Sequence, residues 1–456
     1  MNSLDYHNVF FIGIGGIGMS ALARWFKANG QTVEGYDKTA TGLTAQLIEE
    51  GIEVHYQDDI THIPQAFTKD NTLVVYTPAI PARHSQYTYF VDQGYVVKKR
   101  AEVLGLLSAG MFTVAVAGTH GKTTTSSMIA HILKSAGIDT TAFLGGITVN
   151  YATNLLLAET SAAVAVIEAD EYDRSFLQLA PDIEVITSVD ADHLDIYGSE
   201  EEMLAAYQQF AGKLAAAGKC IVAAKAQDRL QVNGATVYGE GSRIYANNLR
   251  LAGGRYHFDY VKETQKISTI PLALPGRHNA ENAVAAITVA TSLGVGEAAI
   301  KKAFATYRGV KRRFEYVLEL PEMVFIDDYA HHPAEVAGFI GALRELYPDK
   351  FIQVIFQPHL YSRTRDFAAE FAASLSQADS VILMDIYPAR EAPIAGVTSA
   401  LILERIRLAD KALMTTEEIL AMLPAKQPQV LATVGAGDID KLVPQIKDVI
   451  TKTMVK

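Results

Sequence analysis

Cysteine is nearly absent from this sequence, since Cys220 is the only one among 456 residues. A single thiol rules out an intramolecular disulfide, so the fold must depend on its packed core. Chains that lack disulfides are typical of a reducing compartment. We therefore expect a cytoplasmic protein.

Long apolar runs and an excess of positive charge are missing too. No window offers the roughly 18 consecutive apolar residues of a membrane-spanning helix, so we expect no membrane partner. The first apolar run, 9–14, follows Asp5 and His7 instead of a basic segment, unlike a secretory signal. The net charge of −11 disfavours binding along a nucleic-acid backbone, and we expect no nucleic-acid partner.

The length and composition indicate a globular protein with several domains. The chain is 49% hydrophobic and 20% charged, which is ordinary for such a protein, and it is too long for one core. Apolar runs of strand length alternate with helix-like segments, which predicts the α/β class. We predict three open α/β domains: a Rossmann-like domain at 1–108, a P-loop ATPase-like domain at 109–310 and a second Rossmann-like domain at 311–456.

A glycine-rich turn at 118–121 is the most informative stretch. It follows an apolar run, 112–117, that reads as a buried strand, and a helix-compatible segment begins at Lys122. Backbone N–H groups of such a turn converge on an anion at the helix N-terminus. Lys122 suits the β- and γ-phosphates of a nucleotide, and the hydroxyl of Thr123 suits Mg²⁺. The usual P-loop has a further glycine where Val116 stands, and a glycine turn with a solvated lysine is the plain alternative.

The N-terminal segment carries a second glycine turn. A predicted strand at 9–12 leads into Gly13, Gly15 and Gly18, and Asp37 follows 19 residues after Gly18. This spacing matches the dinucleotide-binding fingerprint, with Asp37 in the position of a ribose ligand. The same turn holds any diphosphate, so NAD and a uridine diphosphate are both compatible with it. Arg100 is either an anion ligand of this segment or an ordinary surface arginine.

Acidic residues follow two predicted strands of the central segment. Glu168, Asp170, Glu171 and Asp173 come after an apolar run at 162–167. Four carboxylates repel one another unless a cation lies among them, and this edge is where a Mg²⁺-directed acid of a P-loop protein belongs. Solvated loop acids are the alternative.

Two further polar residues of this segment have open interpretations. His193 lies among aspartates after the strand predicted at 183–189. It is compatible with a metal ligand, a proton carrier or a structural histidine. Asn279 opens an alanine-rich helix, as a base contact or as a helix cap. In the last segment, basic residues at 308–313 precede strands that end in the polar stretches 327–333 and 357–366.

Taken together, these motifs resemble the Mur ligases, ATP-dependent amide-bond-forming enzymes of peptidoglycan synthesis. The resemblance runs in order from about residue 8 to the end of the chain. It is carried by Gly-Thr-His-Gly-Lys-Thr-Thr-Thr at 118–125, the acids at 168–173, Asp-His-Leu-Asp at 192–195, Gly-Arg-His-Asn at 276–279, Arg-Arg-Phe-Glu at 312–315 and Asp-Asp-Tyr-Ala-His-His-Pro at 327–333. The segments at 13–20 and 357–366 resemble the branch that joins L-alanine to UDP-N-acetylmuramate.

The resemblance implies a role for particular residues. The third domain would close on ATP and the amino acid, and NAD would have no place. The phosphate loop would comprise Gly118, Thr119, His120, Gly121, Lys122, Thr123 and Thr124. Asn279, Arg313, Asp328 and His331 would also contact ATP, and Thr123, Glu168 and His193 would hold Mg²⁺. The sugar nucleotide would meet Gly15, Gly16, Ile17, Gly18, Asp37 and Arg100, and the amino acid would meet His359 and Arg363. Catalysis would depend on Lys122, His193, Arg313 and Arg363.

The resemblance leaves three alternatives open. A ligase that attaches an intact tripeptide to UDP-N-acetylmuramate shares nearly all of these motifs, and a non-catalytic nucleotide-sugar sensor would retain the fold. An NAD-dependent dehydrogenase leaves Lys122 and the acids unexplained.

Leu360 stands where many alanine-adding enzymes have arginine, which makes Arg363 the stronger candidate for the alanine carboxylate. We expect a monomer or a homodimer.

Overall fold

The computed structural model describes residues 6–160, 163–191, 194–215, 217–253, 255–389, 391–426 and 428–454. Strands and helices alternate along these ranges and build three largely parallel sheets, so the predicted three-part α/β fold is confirmed. The chain forms two compact units. Unit 1 comprises Met1–Leu249, His257–Pro271 and His278–Tyr307, and unit 2 comprises Arg250–Tyr256, Leu272–Arg277 and Arg308–Lys456.

The first sheet of unit 1 has five parallel strands in the order β3-β2-β1-β4-β5. Its elements are β1 (Asn8–Ile12), α1 (Ile17–Ala28), β2 (Thr32–Tyr36), α2 (Gly42–Glu49), β3 (Glu53–His55), β4 (Thr72–Tyr76), α3 (Ser85–Asp92), β5 (Val96–Lys99) and α4 (Arg100–Ser108). The apolar strand β1 is buried along its whole length because it lies between two other strands. The carboxyl ends of β1 and β2 therefore bring the first glycine turn and Asp37 to the same edge.

The second sheet of unit 1 has seven strands in the order β12-β11-β10-β6-β9-β7-β8. Its elements are β6 (Phe112–Ala117), α5 (Lys122–Ser135), β7 (Thr140–Phe143), β8 (Leu155–Leu156), β9 (Val164–Glu168), β10 (Ile183–Ile186), α6 (Leu194–Tyr197), α7 (Glu200–Ala211), β11 (Lys219–Ala223), α8 (Ala224–Leu230) and β12 (Thr236–Tyr238). Strands β7 and β8 pair antiparallel, and the other described strands of this sheet pair parallel. Because β6 lies between β9 and β10, the phosphate loop, the acidic loop and the end of β10 meet at one edge.

A three-stranded sheet and two helices complete the central part of the chain. They are β13 (Ile244–Ala252), β14 (Arg255–Lys262), β15 (Gln265–Leu272), α9 (Arg277–Ser292) and α10 (Glu297–Thr306). Helix α9 is buried from Asn279 to Ala290 except at Glu281, and its alanine-rich sequence suits that position.

The sheet of unit 2 has six described strands in the order β16-β17-β21-β18-β19-β20. Strand β16 runs antiparallel to β17, and the other described pairs are parallel. The elements are β16 (Glu315–Glu319), β17 (Val324–Asp328), α11 (Pro333–Leu346), β18 (Ile352–Phe356), α12 (Tyr361–Asp366), α13 (Ala368–Leu375), β19 (Ser380–Leu383), α14 (Ala400–Leu403), β20 (Lys411–Leu413), α15 (Thr416–Met422), β21 (Val430–Val434) and α16 (Leu442–Met454). The polar stretches after β17 and β18 thus share one edge of this sheet.

Three observations bear on the expectations from the sequence. Within the described ranges, no helix has the length and apolar character needed to cross a bilayer. Strand β10 ends at Ile186, earlier than predicted, because Thr187 and Ser188 turn toward the phosphate loop and bond to it. Cys220 is buried with a free thiol.

Candidate active site

The phosphate loop between β6 and α5 requires its two glycines. Gly118 and Gly121 have φ angles of +139° and +84°, which side-chain-bearing residues rarely adopt. A Cβ on Gly118 would lie 2.1 Å from Thr187 Oγ1, and one on Gly121 would lie 2.6 Å from Asn282 Oδ1. The loop is therefore fixed by close packing on both sides as well as by its dihedral angles.

The backbone amides of the loop fall into two groups. The Thr119 amide donates to the Ser188 carbonyl (3.2 Å), and the His120 amide donates to Ser188 Oγ (2.8 Å). The N–H groups of the first turn of α5, which include those of Lys122 and Thr123, have no acceptor inside the helix. In this structure the amides available to an anion are thus those at the helix start, and contacts of Thr119 and His120 with ATP stay predictions.

Glu168, at the end of β9, lies beside the start of α5. Its Oε1 accepts a hydrogen bond from Thr123 Oγ1 (2.9 Å), and its Oε2 accepts one from the Gly145 amide (2.9 Å). A Cβ on Gly145 would lie 2.3–2.4 Å from the three carboxyl atoms of Glu168, so glycine is required there. A hydroxyl and a carboxylate oxygen at this distance form a donor pair that suits Mg²⁺. Among the described residues, no group of three or more histidine, cysteine or acidic side chains is arranged as a metal site.

Lys122 is engaged by the acidic loop. Its Nζ donates to the Gly118 carbonyl (2.6 Å) and to Glu171 Oε1 (2.8 Å). The side chains of Lys122 and Glu171 are only 15% and 2% exposed, so this ion pair lies in the interior. Burial raises the pKa of Glu171, and the neighbouring Lys122 ammonium opposes that effect.

The last residue of β5 and the first residue of α4 reach the same acidic loop. Arg100 Nη2 pairs with Asp170 (3.0 Å), and Lys99 Nζ pairs with Asp173 (2.9 Å). Each of the four acids therefore has a hydroxyl or cationic partner, and the cations that the sequence required among them are Lys99, Arg100 and Lys122. Arg100 and Glu168 also line one narrow crevice beside α4.

The first glycine turn lies directly against Arg100. A Cβ on Gly18 would fall 2.2 Å from Arg100 Nη1, so the guanidinium occupies the space beside the first turn of α1. A cation at the positive end of a helix is favourable only with an anion nearby. Asp37 Oδ2 accepts from the Gly15 amide (2.7 Å) and so fixes the turn itself. Gly16 is the N-cap of α1 and Ile17 its first helical residue.

Two central residues, Asn279 and Asn282, complete this part of the site. Asn279 is buried near the start of α9, as its third residue, so the base contact suits it better than the cap. Asn282, whose Nδ2 donates to Asn279 Oδ1 (3.3 Å), packs on Gly121. His193 and Asp192 lie outside the described residues.

In unit 2, the stretch after β17 is held by backbone amides. Asp328 accepts from the amides of Phe314 and Ala330 (both 2.7 Å), and burial raises its pKa to about 6. The Arg313 guanidinium lies 5.5 Å from the centre of the Tyr329 ring. The geometry therefore brings Asp328 and Arg313 to the same turn.

His331, His359 and Arg363 also lie together at this edge. The rings of His331 and His359 are 5.9 Å apart, and Arg363 Nη1 donates to the His331 carbonyl (3.4 Å). Burial and the cationic Arg363 lower the pKa of His359 to about 4, so this imidazole is neutral near pH 7. Leu360, between them, has a φ of +70°, an unusual angle for leucine that marks a constrained turn.

Sequence reasoning missed Ser188, Asn282 and the individual partner of each acid. Ser188 follows β10, and Asn282 lies more than 150 residues from the glycine that it supports, so neither belongs to a local motif. The Asn-x-x-Asn spacing of 279 and 282 places both side chains on one helix face and was the available signal.

Three family models match the chain in order. The model described as "Mur ligase family, catalytic domain" matches residues 8–111, "Mur ligase middle domain" matches 116–290, and "Mur ligase, glutamate ligase domain" matches 312–438. Together they account for most of the sequence.

Curated relatives and solved structures agree with these models. The UDP-N-acetylmuramate–L-alanine ligase of Flavobacterium psychrophilum is 49% identical over 98% of this chain and 99% of its own, and that of Flavobacterium johnsoniae is 48% identical over the full length of both. The crystal structure of UDP-N-acetylmuramate–alanine ligase from Thermotoga maritima covers 98% of this chain and 99% of its own, with a TM-score of 0.85 and 27% identity. A murein peptide ligase from Psychrobacter arcticus (TM-score 0.69, 23% identity, 97% and 98% covered) shares the fold.

Proposed function

The chain belongs to the Mur ligase family, and on that premise we propose that it joins L-alanine to the lactoyl carboxylate of UDP-N-acetylmuramate at the expense of ATP. The curated relatives that match it over its whole length bear the name of that activity. The tripeptide-adding alternative and the sensor have no comparable support.

One chain of contacts inside unit 1 carries the proposal. It runs from the Gly18 turn to Arg100, from Arg100 to Asp170, and from the adjoining Glu171 to Lys122 at the phosphate loop. Two anion sites, one on α1 and one on α5, are therefore linked by alternating charges. This arrangement suits an enzyme that moves a phosphoryl group from one nucleotide to a substrate carried by another, because both anionic partners need cations near them.

The proposed reaction has two steps. The substrate carboxylate attacks the γ-phosphorus of ATP, the bond to the β-phosphate oxygen breaks, and an acyl phosphate and ADP form. The amine of L-alanine then attacks the acyl carbon, and the tetrahedral intermediate collapses to an amide as phosphate leaves. Lys122 and the amides at the start of α5 stabilise the negative charge on the transferred phosphoryl group. Arg100 and the first turn of α1 hold the diphosphate of the sugar nucleotide.

We propose that Mg²⁺ assists the first step. Thr123 and Glu168 would hold the ion, since their oxygens already lie 2.9 Å apart, and His193 is proposed as a further ligand. When bound, the ion supplies positive charge against the phosphate oxygens. Lys122 and Arg100 supply the protein's own cations to the same group of anions.

The remaining assignments rest on the family resemblance. We propose that Asn279, Arg313, Asp328 and His331 serve ATP, and that His359 and Arg363 serve L-alanine. The neutral imidazole of His359 suits an amino-acid site, because it does not compete with Arg363 for the carboxylate. We also propose the division into a sugar-nucleotide domain at 1–108, an ATP domain at 109–310 and a third domain at 311–456.

The experiment is phosphate release with ATP, Mg²⁺, UDP-N-acetylmuramate and L-alanine, in the wild-type protein and in Lys122→Ala. We expect turnover that requires all three substrates, and a loss of about 10²–10³-fold in Lys122→Ala, as for other preorganised charge partners. Lys134→Ala, an exposed lysine of the same helix, is the matched control and should retain turnover. A wild-type protein without turnover, or a fully active Lys122→Ala, would contradict the proposal.

A further inference from the structure

Glu171 is the only acid of the 168–173 loop whose side chain reaches the phosphate-loop lysine among the described contacts. Its Oε1 lies 2.8 Å from Lys122 Nζ, and its side chain is 2% exposed. Its Oε2 is buried with no hydrogen-bond partner in the described part of the chain. Buried carboxylates ordinarily satisfy both oxygens, so the ion pair with Lys122 is the contact that compensates this charge in the interior.

The backbone around Glu171 is built to aim it inward. The Glu171 carbonyl accepts from Tyr197 Oη (2.6 Å) and from the Arg174 amide (3.0 Å). Asp173 and Arg174 both have left-handed φ angles, near +53°, which non-glycine residues adopt at a cost. The Arg174 guanidinium lies over the ring of Tyr197, 5.5 Å from its centre. A strained turn that is tied down on two sides indicates that the orientation of Glu171 matters.

The pair changes the charge that a nucleotide meets at the loop. An unopposed ammonium at the start of α5 would attract the β-phosphate, which ATP and ADP both carry, in either nucleotide. Binding that is equal before and after the reaction does not accelerate the reaction, and it slows the release of the product. A carboxylate 2.8 Å from that ammonium offsets its charge while holding it beside the Gly118 carbonyl.

We propose that Glu171 is a positioning residue that holds the Lys122 ammonium over the phosphate loop and, by its charge, weakens the binding of nucleotides that carry a β-phosphate. This inference rests on the proposed use of ATP and goes beyond it. Glu171 acts through Lys122 and does not itself touch substrate. Its charge limits how tightly ADP is retained after the first step.

The test is a titration of the full-length protein with ADP, with the ATP analogue AMP-PNP and with AMP, at fixed Mg²⁺. Glu171→Gln keeps the shape of the side chain and removes its charge. We expect the Kd of this variant for ADP and for AMP-PNP to fall about tenfold, which corresponds to about 1.4 kcal/mol. The Kd for AMP should stay unchanged, because AMP has no phosphate that reaches Lys122.

Two control variants separate charge from shape. Glu171→Asp keeps the charge and should bind ADP as the wild type does. Asp173→Asn removes an equal charge from the same loop, at a residue that pairs with the more exposed Lys99. Asparagine tolerates the left-handed backbone of this position. The Kd of this variant for ADP should therefore stay near the wild-type value. A general loss of structure would weaken binding, so a gain in affinity is a result that a merely structural role does not produce.

Several outcomes overturn the inference. They are an unchanged or raised Kd for ADP in Glu171→Gln, an equal gain for AMP, or an equal gain in Asp173→Asn. Glu171→Ala also removes the charge but buries no amide, and we expect the same fall in its Kd for ADP and AMP-PNP. It replaces Glu171→Gln in the test if thermal melting shows that the glutamine variant is unfolded. A wild-type protein that binds neither ADP nor AMP-PNP would count against the proposed function, whereas wild-type binding with no change in the variants overturns this inference alone.

Discussion

Replacing Glu184 with glutamine should reduce the pH dependence of the free energy of unfolding. Glu184 lies in β10, next to Ala115 of the phosphate-loop strand β6 and next to Cys220 of β11. Its side chain is completely buried, and the thiol of Cys220 is the polar group that lies beside its carboxyl. Burial raises its pKa from the ordinary value of 4.5 to about 8.

The sign of the effect follows from the two pKa values. Below pH 4.5 the carboxyl is protonated in both the folded and the unfolded chain, so it contributes no pH dependence. Between that value and pH 8 the unfolded chain loses the proton and the folded chain keeps it, so the free energy of unfolding falls as the pH rises. At about 1.4 kcal/mol for each pH unit, the loss reaches at most about 5 kcal/mol above pH 8.

Glutamine cannot ionise, so the variant should escape this loss. We expect wild type and Glu184→Gln to melt at similar temperatures at pH 5.5. At pH 8.5 we expect the variant to melt about 3–6 °C higher, because a gain of about 2–4 kcal/mol shifts the melting temperature of a unit of this size by about that much. Differential scanning calorimetry of both proteins at the two pH values measures this difference. Glu159→Gln, an exposed change in the same unit, is the control. A difference in melting temperature that is the same at both pH values would refute the reasoning.

Two further substitutions test contacts of unit 1. Gly18→Ala places a methyl 2.2 Å from Arg100 Nη1 and should displace that flexible side chain. By analogy with the loss of one charged contact, the KM for UDP-N-acetylmuramate should rise about tenfold. Gly16→Ala, whose methyl has no neighbour nearer than 3.5 Å, should raise that KM much less. Arg24→Ala removes a buried guanidinium that pairs with both oxygens of the partly exposed Glu50 and donates to the buried Asn154. It should lower the free energy of unfolding by about 1.5–3 kcal/mol in urea denaturation, and an effect below about 0.5 kcal/mol would contradict the importance of this contact.

The elements of the fold were largely open to prediction from the sequence. Apolar runs such as 112–117 become buried central strands, and glycines such as Gly118 and Gly121 mark the turns where polar residues collect. Because the carboxyl ends of parallel strands lie at one edge of a sheet, the sequence predicts that the phosphate loop and the acidic loop lie close together. The three-part α/β fold follows from that alternation.

The pairing of individual side chains was beyond sequence reasoning. The acids at 168–173 are only one or two positions apart, and this spacing does not indicate that Glu168 meets Thr123 while Glu171 meets Lys122. No local pattern encodes the approach of Arg100 to Gly18, since it depends on how two helices pack. Ser188 accepts hydrogen bonds from two backbone amides of the phosphate loop, because β10 ends earlier than its apolar run suggests.

The identity of the amino acid that is joined tests the central claim most directly. The protein would be incubated with ATP, Mg²⁺, UDP-N-acetylmuramate and an equimolar mixture of L-alanine, L-serine, glycine and the intact tripeptide. The products would be identified and quantified by mass spectrometry. The account predicts that the L-alanyl adduct of UDP-N-acetylmuramate is the main product and that ADP and phosphate form in equal amounts with it. A tripeptide adduct as the main product, or ATP hydrolysis without any adduct, would contradict it.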